Sequence, residues 1–222
     1  MYEELQYQTV KPQIKSALDW LMAEEFFNPF RLVGGTALSL QLGHRESVDI
    51  DMFSDVGYGE IDFGIIDAHL NHSFDYVDSI GTTIVGIGKS YFIGESANNC
   101  IKLDLYYTDP FIRKYIEIDN IRIANLDEIV AMKVDVVSRG ARKKDFWDLH
   151  ELLNYYSIEQ MLQLHKERYE YSHSPKEIIA KFINFENADN DFEPICLKGK
   201  FWEIIKLDFV DVIENLDRSL LM

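Results

Sequence analysis

The chain has 222 residues, 47% of them hydrophobic, enough to bury a sizeable core as one compact unit. Its 38 acidic side chains outnumber the 22 lysines and arginines, and the formal net charge of -16 excludes broad electrostatic adhesion to nucleic acid or anionic lipid, leaving room only for a local basic patch. The opening MYEELQYQTVKPQIK has neither the basic nor the apolar part of a signal peptide, and no apolar run reaches the ~18 residues of a membrane span, so the expectation is a soluble, cytoplasmic protein with no membrane partner.

Taken in chain order, Ile14, Leu18, Leu21, Met22 and Phe26 recur at helical spacing over residues 11–27, and Asn28-Pro29 ends that helix because proline disfavours helix in the residue before it. Phe30 to Val33 reads as a short buried strand, and Gly34-Gly35 turns it into a helix with Ala37, Leu38 and Leu42 on its apolar side. From Ser47 the pattern alternates, with Val48, Ile50 and Met52 on one face and Ser47, Asp49 and Asp51 on the other, which is the period of a strand. Ile61 to Leu70 reads as a helix.

β-Branched and aromatic runs follow at Phe74 to Ile80, Thr82 to Ile87, Tyr91 to Ile93, Ile101 to Tyr107 and Ile121 to Ile123, with Gly81 and Gly88-Lys89 suited to hairpin turns. In the run from Ile101, the residues Ile101, Leu103 and Leu105 face the core and Lys102, Asp104 and Tyr106 share the opposite face. The chain then turns helical. Asn125 with Glu128 three residues on marks a helix start, and Leu126, Ile129, Val130, Val134 and Val137 continue one apolar face. Ser138-Arg139-Gly140 interrupts it; Phe146, Leu149, His150 and Leu153 mark the next helix, and residues 157–169, 176–184 and 200–217 complete an all-α C-terminal part. Cys100 and Cys196 stand in no zinc or redox spacing and read as reduced, packed thiols. The fold class is therefore α+β, a mixed sheet with flanking helices over residues 1–124 followed by a helical region over 125–222 packed on it.

Asp49 and Asp51, two residues apart on one strand, project to the same side, close enough to share a cation. Read alone, such a pair is a solvated strand face, and so is Asp104. If the two strands are neighbours, three carboxylates converge, and each pair ~4 Å apart repels by roughly 4 kcal/mol at an effective dielectric of ~20. Such a cluster calls for a counter-ion, and oxygen-only ligands favour Mg²⁺ or Mn²⁺ over zinc. Gly34-Gly35-Thr36 opens a helix whose first N–H groups and positive dipole end suit a phosphate, although two glycines after a strand are by themselves only a tight turn. Arg139, Arg142, Lys143 and Lys144 concentrate positive charge at a helix–helix junction in an otherwise acidic chain. Arg45, in the loop before the aspartate strand, reads as a phosphate contact or a buttress for the aspartates, and His44 as structural.

The order of these pieces resembles the polymerase-β-like nucleotidyltransferase superfamily. Within it, GGTAL (34–38), GHRESVDIDMF (43–53), KLDLY (102–106) and KVDVVSRGARKKDFWDLHELL (133–153) look like the successive motifs of the AbiEii/AbiGii-type toxin nucleotidyltransferases of bacterial abortive-infection and toxin–antitoxin systems. The resemblance implies that Asp49, Asp51 and Asp104 are the catalytic, metal-binding acids, with Asp104 also helping to deprotonate the attacking group. It implies nucleotide or phosphate binding by Gly34, Gly35, Thr36, Lys133, Arg139 and Lys144, joined by Arg45, with Asp145 and Asp148 orienting the cations by ion pairing. It further implies an NTP substrate, Mg²⁺ or Mn²⁺ as cofactor, an acceptor hydroxyl on RNA such as tRNA or on protein, release of pyrophosphate, and a cognate antitoxin. Many relatives carry a larger C-terminal region, which leaves the acceptor open. The rival expectations are a catalytically silent nucleotide- or partner-binding module of the same fold and a phosphoesterase built on the same acids.

Overall fold

Alternating strands and period-3.6 helices are sorted along this chain into two compact units, Met1–Gln41 with Ser47–Asn125 and Leu42–Glu46 with Leu126–Met222. The structure is a computed structural model and describes residues 4–80 and 86–216. Residues 42–46, which sit in sequence between the glycine turn and the aspartate strand, cluster with the helical unit.

In the first unit, helix α1 (Pro12–Ala23) starts on a proline at its first turn and buries Ile14, Ala17, Leu18, Leu21 and Met22. Each large aliphatic side chain so buried contributes roughly 1.5–3 kcal/mol. The sequence extends this helix to residue 27, but it ends at Ala23: Glu24 turns extended, and a single 3-10 turn over Glu25–Phe27 follows. The physical gain is Phe27, which the turn swings fully into the core against Trp20 and Phe30 while Phe26 stays half-buried. Strands β1 (Arg31–Val33), β2 (Asp49–Ser54), β3 (Tyr76–Ile80), β4 (Gly88–Ser96), β5 (Asn99–Tyr107), β6 (Ile116–Ile118) and β7 (Ile121–Ile123) form one sheet in the order β3-β4-β5-β2-β1-β7-β6. The β2/β5 and β1/β7 pairs are parallel and the remaining pairs antiparallel. Helix α2 (Gly34–Leu42) leaves β1 without an intervening residue, and α3 (Phe63–Ser73) is capped by the Asp62 carboxylate, which accepts the N–H groups of Gly64 and Ile65.

The sheet has one apolar face, where Leu32, Ile50, Met52, Ile93, Leu103 and Leu105 are fully buried. Val48, placed on that face by its spacing, precedes the strand and is 55% exposed. The hairpin turn assigned to Gly88-Lys89 is also corrected: Gly88 begins β4, where a Cβ would collide with the Leu105 carbonyl and the Tyr106 ring, and the β4/β5 hairpin turns at residues 97–98. Strand β6, absent from the sequence reading, returns into β7 through Asp119-Asn120, both at positive φ (53° and 62°), the backbone of a tight hairpin turn. The turn expected at Gly81 and the strand expected from Thr82 to Ile87 fall on residues 81–85, which lie outside the described residues, and on residues 86–87, which form no strand.

The second unit contains α4 (Leu126–Ser138), α5 (Lys143–Leu152), α6 (Ile158–Arg168), α7 (Pro175–Phe182), the short α8 (Glu186–Asp189) and α9 (Trp202–Glu214). Ile129, Val130, Val134 and Val137 of α4 are buried, and Gly140 (φ 110°) allows the turn after it. Ser157 and Ser174 cap α6 and α7, each in a box with the residue three on, Gln160 and Glu177. Phe146, Phe182, Phe185, Trp202 and Phe209 form an aromatic cluster at 5.1–6.1 Å between centroids. Among the described residues no helix is long and apolar enough to cross a membrane.

The buried Arg122 of β7 joins α1 to the sheet by donating to the carbonyls of Met22, Phe27 and Phe30 at 3.1–3.2 Å. Arg122→Ala leaves those acceptors without their donor at about 1–3 kcal/mol each. We expect the urea midpoint to fall by an amount corresponding to about 3 kcal/mol or more, and an unchanged midpoint would show that the carbonyls find other partners.

Candidate active site

The parallel pairing of β2 with β5 sets Asp51 directly opposite Asp104 and Asp49 opposite Lys102. Paired residues share a side of the sheet, so the three carboxylates and the lysine stand together on the face opposite Ile50, Met52, Leu103 and Leu105. The next register pair on this face is Phe53 and Tyr106, whose rings meet edge-on at 6.1 Å, and the Tyr106 hydroxyl bonds Ser90 on β4 at 2.8 Å. A cleft of about 360 Å³, lined by Trp20, Phe74, Ile93 and Ile101 among others, opens on the other face and does not touch the acids.

The glycine turn belongs to this cluster. Gly34 has φ 69°, and a Cβ there would lie 2.6 Å from Asp51 Oδ2, so the aspartate carboxylate occupies the space a side chain would need. Gly34 and Gly35 are half-buried in the first turn of α2, where N–H groups have no partner within the helix. Thr36 is buried, and its hydroxyl bonds Ser47 Oγ at 2.8 Å and donates to the Asp49 carbonyl, so its side chain braces α2 against β2.

Lys102 is the member that the sequence reading left unassigned. Its Nζ stands 2.5 Å from Asp104 Oδ2. Partial burial alone would lower this ammonium group, but the bond to Asp104 and the negative charges of Asp104, Asp51 and Asp49 raise it instead. The other Asp104 oxygen, Oδ1, is buried and has no hydrogen-bond partner. Three carboxylates, one of them with an orphaned buried oxygen, are an all-oxygen donor chemistry of the kind hard divalent cations take. Among the described residues, no three acidic, histidine or cysteine side chains are grouped to hold a metal ion.

The helical unit gathers a second set of charged residues. Asp148 is fully buried, accepts Arg45 Nε at 2.6 Å and Nη2 at 2.8 Å, His44 Nε2 at 2.7 Å and Lys133 Nζ at 2.6 Å. Lys133 also reaches Asp145 at 2.9 Å, and Asp145 accepts the N–H of Arg142 at the start of α5. Burial alone would raise the Asp148 carboxyl, yet Arg45, Lys133 and the His44 bond hold it well below the usual carboxylate range. Burial pushes the His44 imidazole below its ordinary value against the pull of Asp148. The basic run is likewise partnered: Arg139 pairs with Asp135 at 2.5 Å, Arg142 with Asp191 at 3.2 Å, and Lys143 lies 5.5 Å over the Trp202 ring. The Arg139 side chain is 63% exposed and Lys144 is half-buried in the first turn of α5. His150 of α5 is held between Asp208 and Lys200 at 2.8 Å each.

The AbiEii family model, described as a nucleotidyl transferase toxin of a type IV toxin–antitoxin system, matches residues 17–198. An uncharacterized protein of Aquifex aeolicus (strain VF5) is 27% identical over 212 residues, covering 89% of this chain and 92% of that protein. Among solved structures, JHP933 of Helicobacter pylori superposes with a TM-score of 0.56 at 18% identity, covering 94% of this chain and 90% of its own. The nucleotidyltransferase toxin MenT4 of Mycobacterium tuberculosis H37Rv gives 0.53 at 14% identity, covering 87% and 78%. These structures share the fold.

Gly34→Ala forces a left-handed alanine and a clash with Asp51, so we expect a loss of stability of about 1–2 kcal/mol or more in urea unfolding. Asp148→Asn strips charge compensation from a buried network and should cost about 3–5 kcal/mol by the same measurement. Because the His44 pKa is lowered on folding, the unfolded chain binds more protons as pH falls through about 6.5. The urea midpoint should therefore drop between pH 7.5 and 5.5, and His44→Gln should flatten part of that drop; an equal drop in the variant would remove His44 as a cause.

Proposed function

Because the chain belongs to the AbiEii family of nucleotidyl transferase toxins, we propose that it moves an NMP from an NTP to an acceptor hydroxyl, on RNA such as tRNA or on protein, in a divalent-cation-dependent reaction that releases pyrophosphate. The observation that carries the reading is the register of β2 on β5, which sets Asp51 against Asp104 with Asp49 on the same face, beside the Gly34 turn.

In this reading the first turn of α2 receives the phosphates: its N–H groups point out of the helix, and the missing side chains of Gly34 and Gly35 permit close approach. Asp49, Asp51 and Asp104 would hold Mg²⁺ or Mn²⁺, which when bound supplies positive charge against the phosphate oxygens. The acceptor oxygen forms its bond to the α-phosphorus as the bond to the bridging oxygen of the β-phosphate breaks, and pyrophosphate carries away the electron pair. Asp104 takes the proton of the attacking hydroxyl. Thr36 keeps the helix start and the aspartate strand in fixed relation through Ser47 and the Asp49 carbonyl. The main contribution is positioning and charge placement rather than covalent chemistry. A cognate antitoxin is the partner this family membership suggests.

The test is incubation with each α-labelled NTP, Mg²⁺ and total cellular RNA or protein. We expect label in a macromolecular fraction with pyrophosphate released, and a loss of at least about a hundredfold in Asp49→Ala and in Asp51→Ala with the fold intact. Full transfer by both variants would sink the assignment, and orthophosphate in place of pyrophosphate would indicate a phosphoesterase.

A further inference from the structure

The sheet face that carries the acids also carries a cation of the chain's own. Lys102 precedes Asp104 by two residues on β5 and stands opposite Asp49 on β2, so strand geometry puts it on the same face as the carboxylates. The Lys102 side chain is 35% exposed and that of Asp104 is 16% exposed, so the pair sits at the mouth of the cluster, with Asp104 Oδ1 turned inward and unpartnered. The Lys102–Asp104 contact engages the acid that sits opposite Asp51.

Resting on the nucleotidyl-transfer reading of the same acids, we propose that Lys102 is the resident counter-ion of the site: its ammonium group and a divalent cation compete for Asp104, and cation loading displaces Lys102. The lysine keeps the carboxylates together when no cation is present and lowers the apparent cation affinity by the fraction of time it holds Asp104. Loading is then favoured when the cation arrives with the negative charge of a nucleotide, which provides the displaced ammonium group with a new partner. The half-exposed position of Lys102 is what permits this exchange; a fully buried ammonium group would have nowhere to move.

The test is titration of the full chain with Mn²⁺ alone, without nucleotide, following free Mn²⁺ by electron paramagnetic resonance. Lys102→Met keeps the stem and removes the charge, whereas Lys102→Arg keeps the charge. We expect Lys102→Met to bind Mn²⁺ about tenfold or more tighter than the parent, and Lys102→Arg to stay within about threefold of it. We also expect Lys102→Met to melt at a lower temperature than the parent without Mn²⁺ and to recover when Mn²⁺ is added, a rescue that a merely structural role would not give. Equal or weaker Mn²⁺ binding by Lys102→Met overturns the proposal. If labelled transfer depends on Asp49 and Asp51 while Lys102→Met leaves Mn²⁺ affinity unchanged, the proposal falls and the transfer reading stands. Tighter Mn²⁺ binding by Lys102→Met with no transfer on any acceptor reverses that outcome, and no Mn²⁺ binding by any form overturns both.

Discussion

Like charge gathered on one sheet face is the constraint around which the first unit is built. Asp51 faces Asp104 across a parallel strand pair and Asp49 stands on the same side. Carboxylates gathered on one face repel one another. The arrangement persists because the other face of the same strands is apolar and fully buried at Ile50, Met52, Leu103 and Leu105. A slip of one residue would exchange the two faces and drive the acids into the core. Hydrophobic burial thus fixes the register, and the register imposes the repulsion that cations must answer.

The two units answer charge in different ways. In the helical unit Asp148 is closed off: His44, Arg45 and Lys133 surround both its oxygens, and Lys133 is further tied to Asp145. Desolvation makes such a network costly to open, since removing one partner leaves another charge buried and uncompensated. In the sheet unit Asp104 meets one half-exposed lysine at one oxygen, and its other oxygen has no hydrogen-bond partner. The first arrangement is suited to rigidity and the second to exchange, although both are built from aspartates and lysines.

Much of this was legible in the sequence, for reasons that can be located. Period-two alternation identified the faces of β2 and β5 because one face of each is buried and the other is polar. It left open whether the strands touch, since about fifty residues separate them and pairing is decided by tertiary packing. Helix ends and turns were less legible: α1 stops at Ala23 because a 3-10 turn buries Phe27, and no residue between them announces it. The hairpin at Asp119-Asn120 did carry a signal, two residue types that tolerate positive φ, but its strands are only three residues long. Residue type also left charge partnership open. Arg45 and Lys133 read as cations facing a phosphate; both bond Asp148, a partner supplied by a helix about a hundred residues beyond Arg45 in one case and by the next helix in the other. Lys102 was visible on the acid face, but its bond to Asp104 depends on the side chain's course along the strand.

The glycine turn and the aspartate strand, each weak evidence alone, are physically one construction. Asp51 fills the volume that a side chain at Gly34 would take, so the turn cannot be understood without the acid. Thr36 then binds both the Ser47 hydroxyl and the Asp49 carbonyl, tying the helix start to the strand at a second point. A helix N-terminus attracts anions and a carboxylate cluster attracts cations, and two independent motifs would leave their separation free. Here the separation is set by backbone contact, with β1 hydrogen-bonded to β2 and α2 beginning at the residue after β1. In the proposed reaction a phosphate taken by the helix start would therefore lie beside the acids, where it and a cation held by them would partly neutralise one another. That mutual neutralisation would let like charges on the sheet and an anion at the helix coexist in one site.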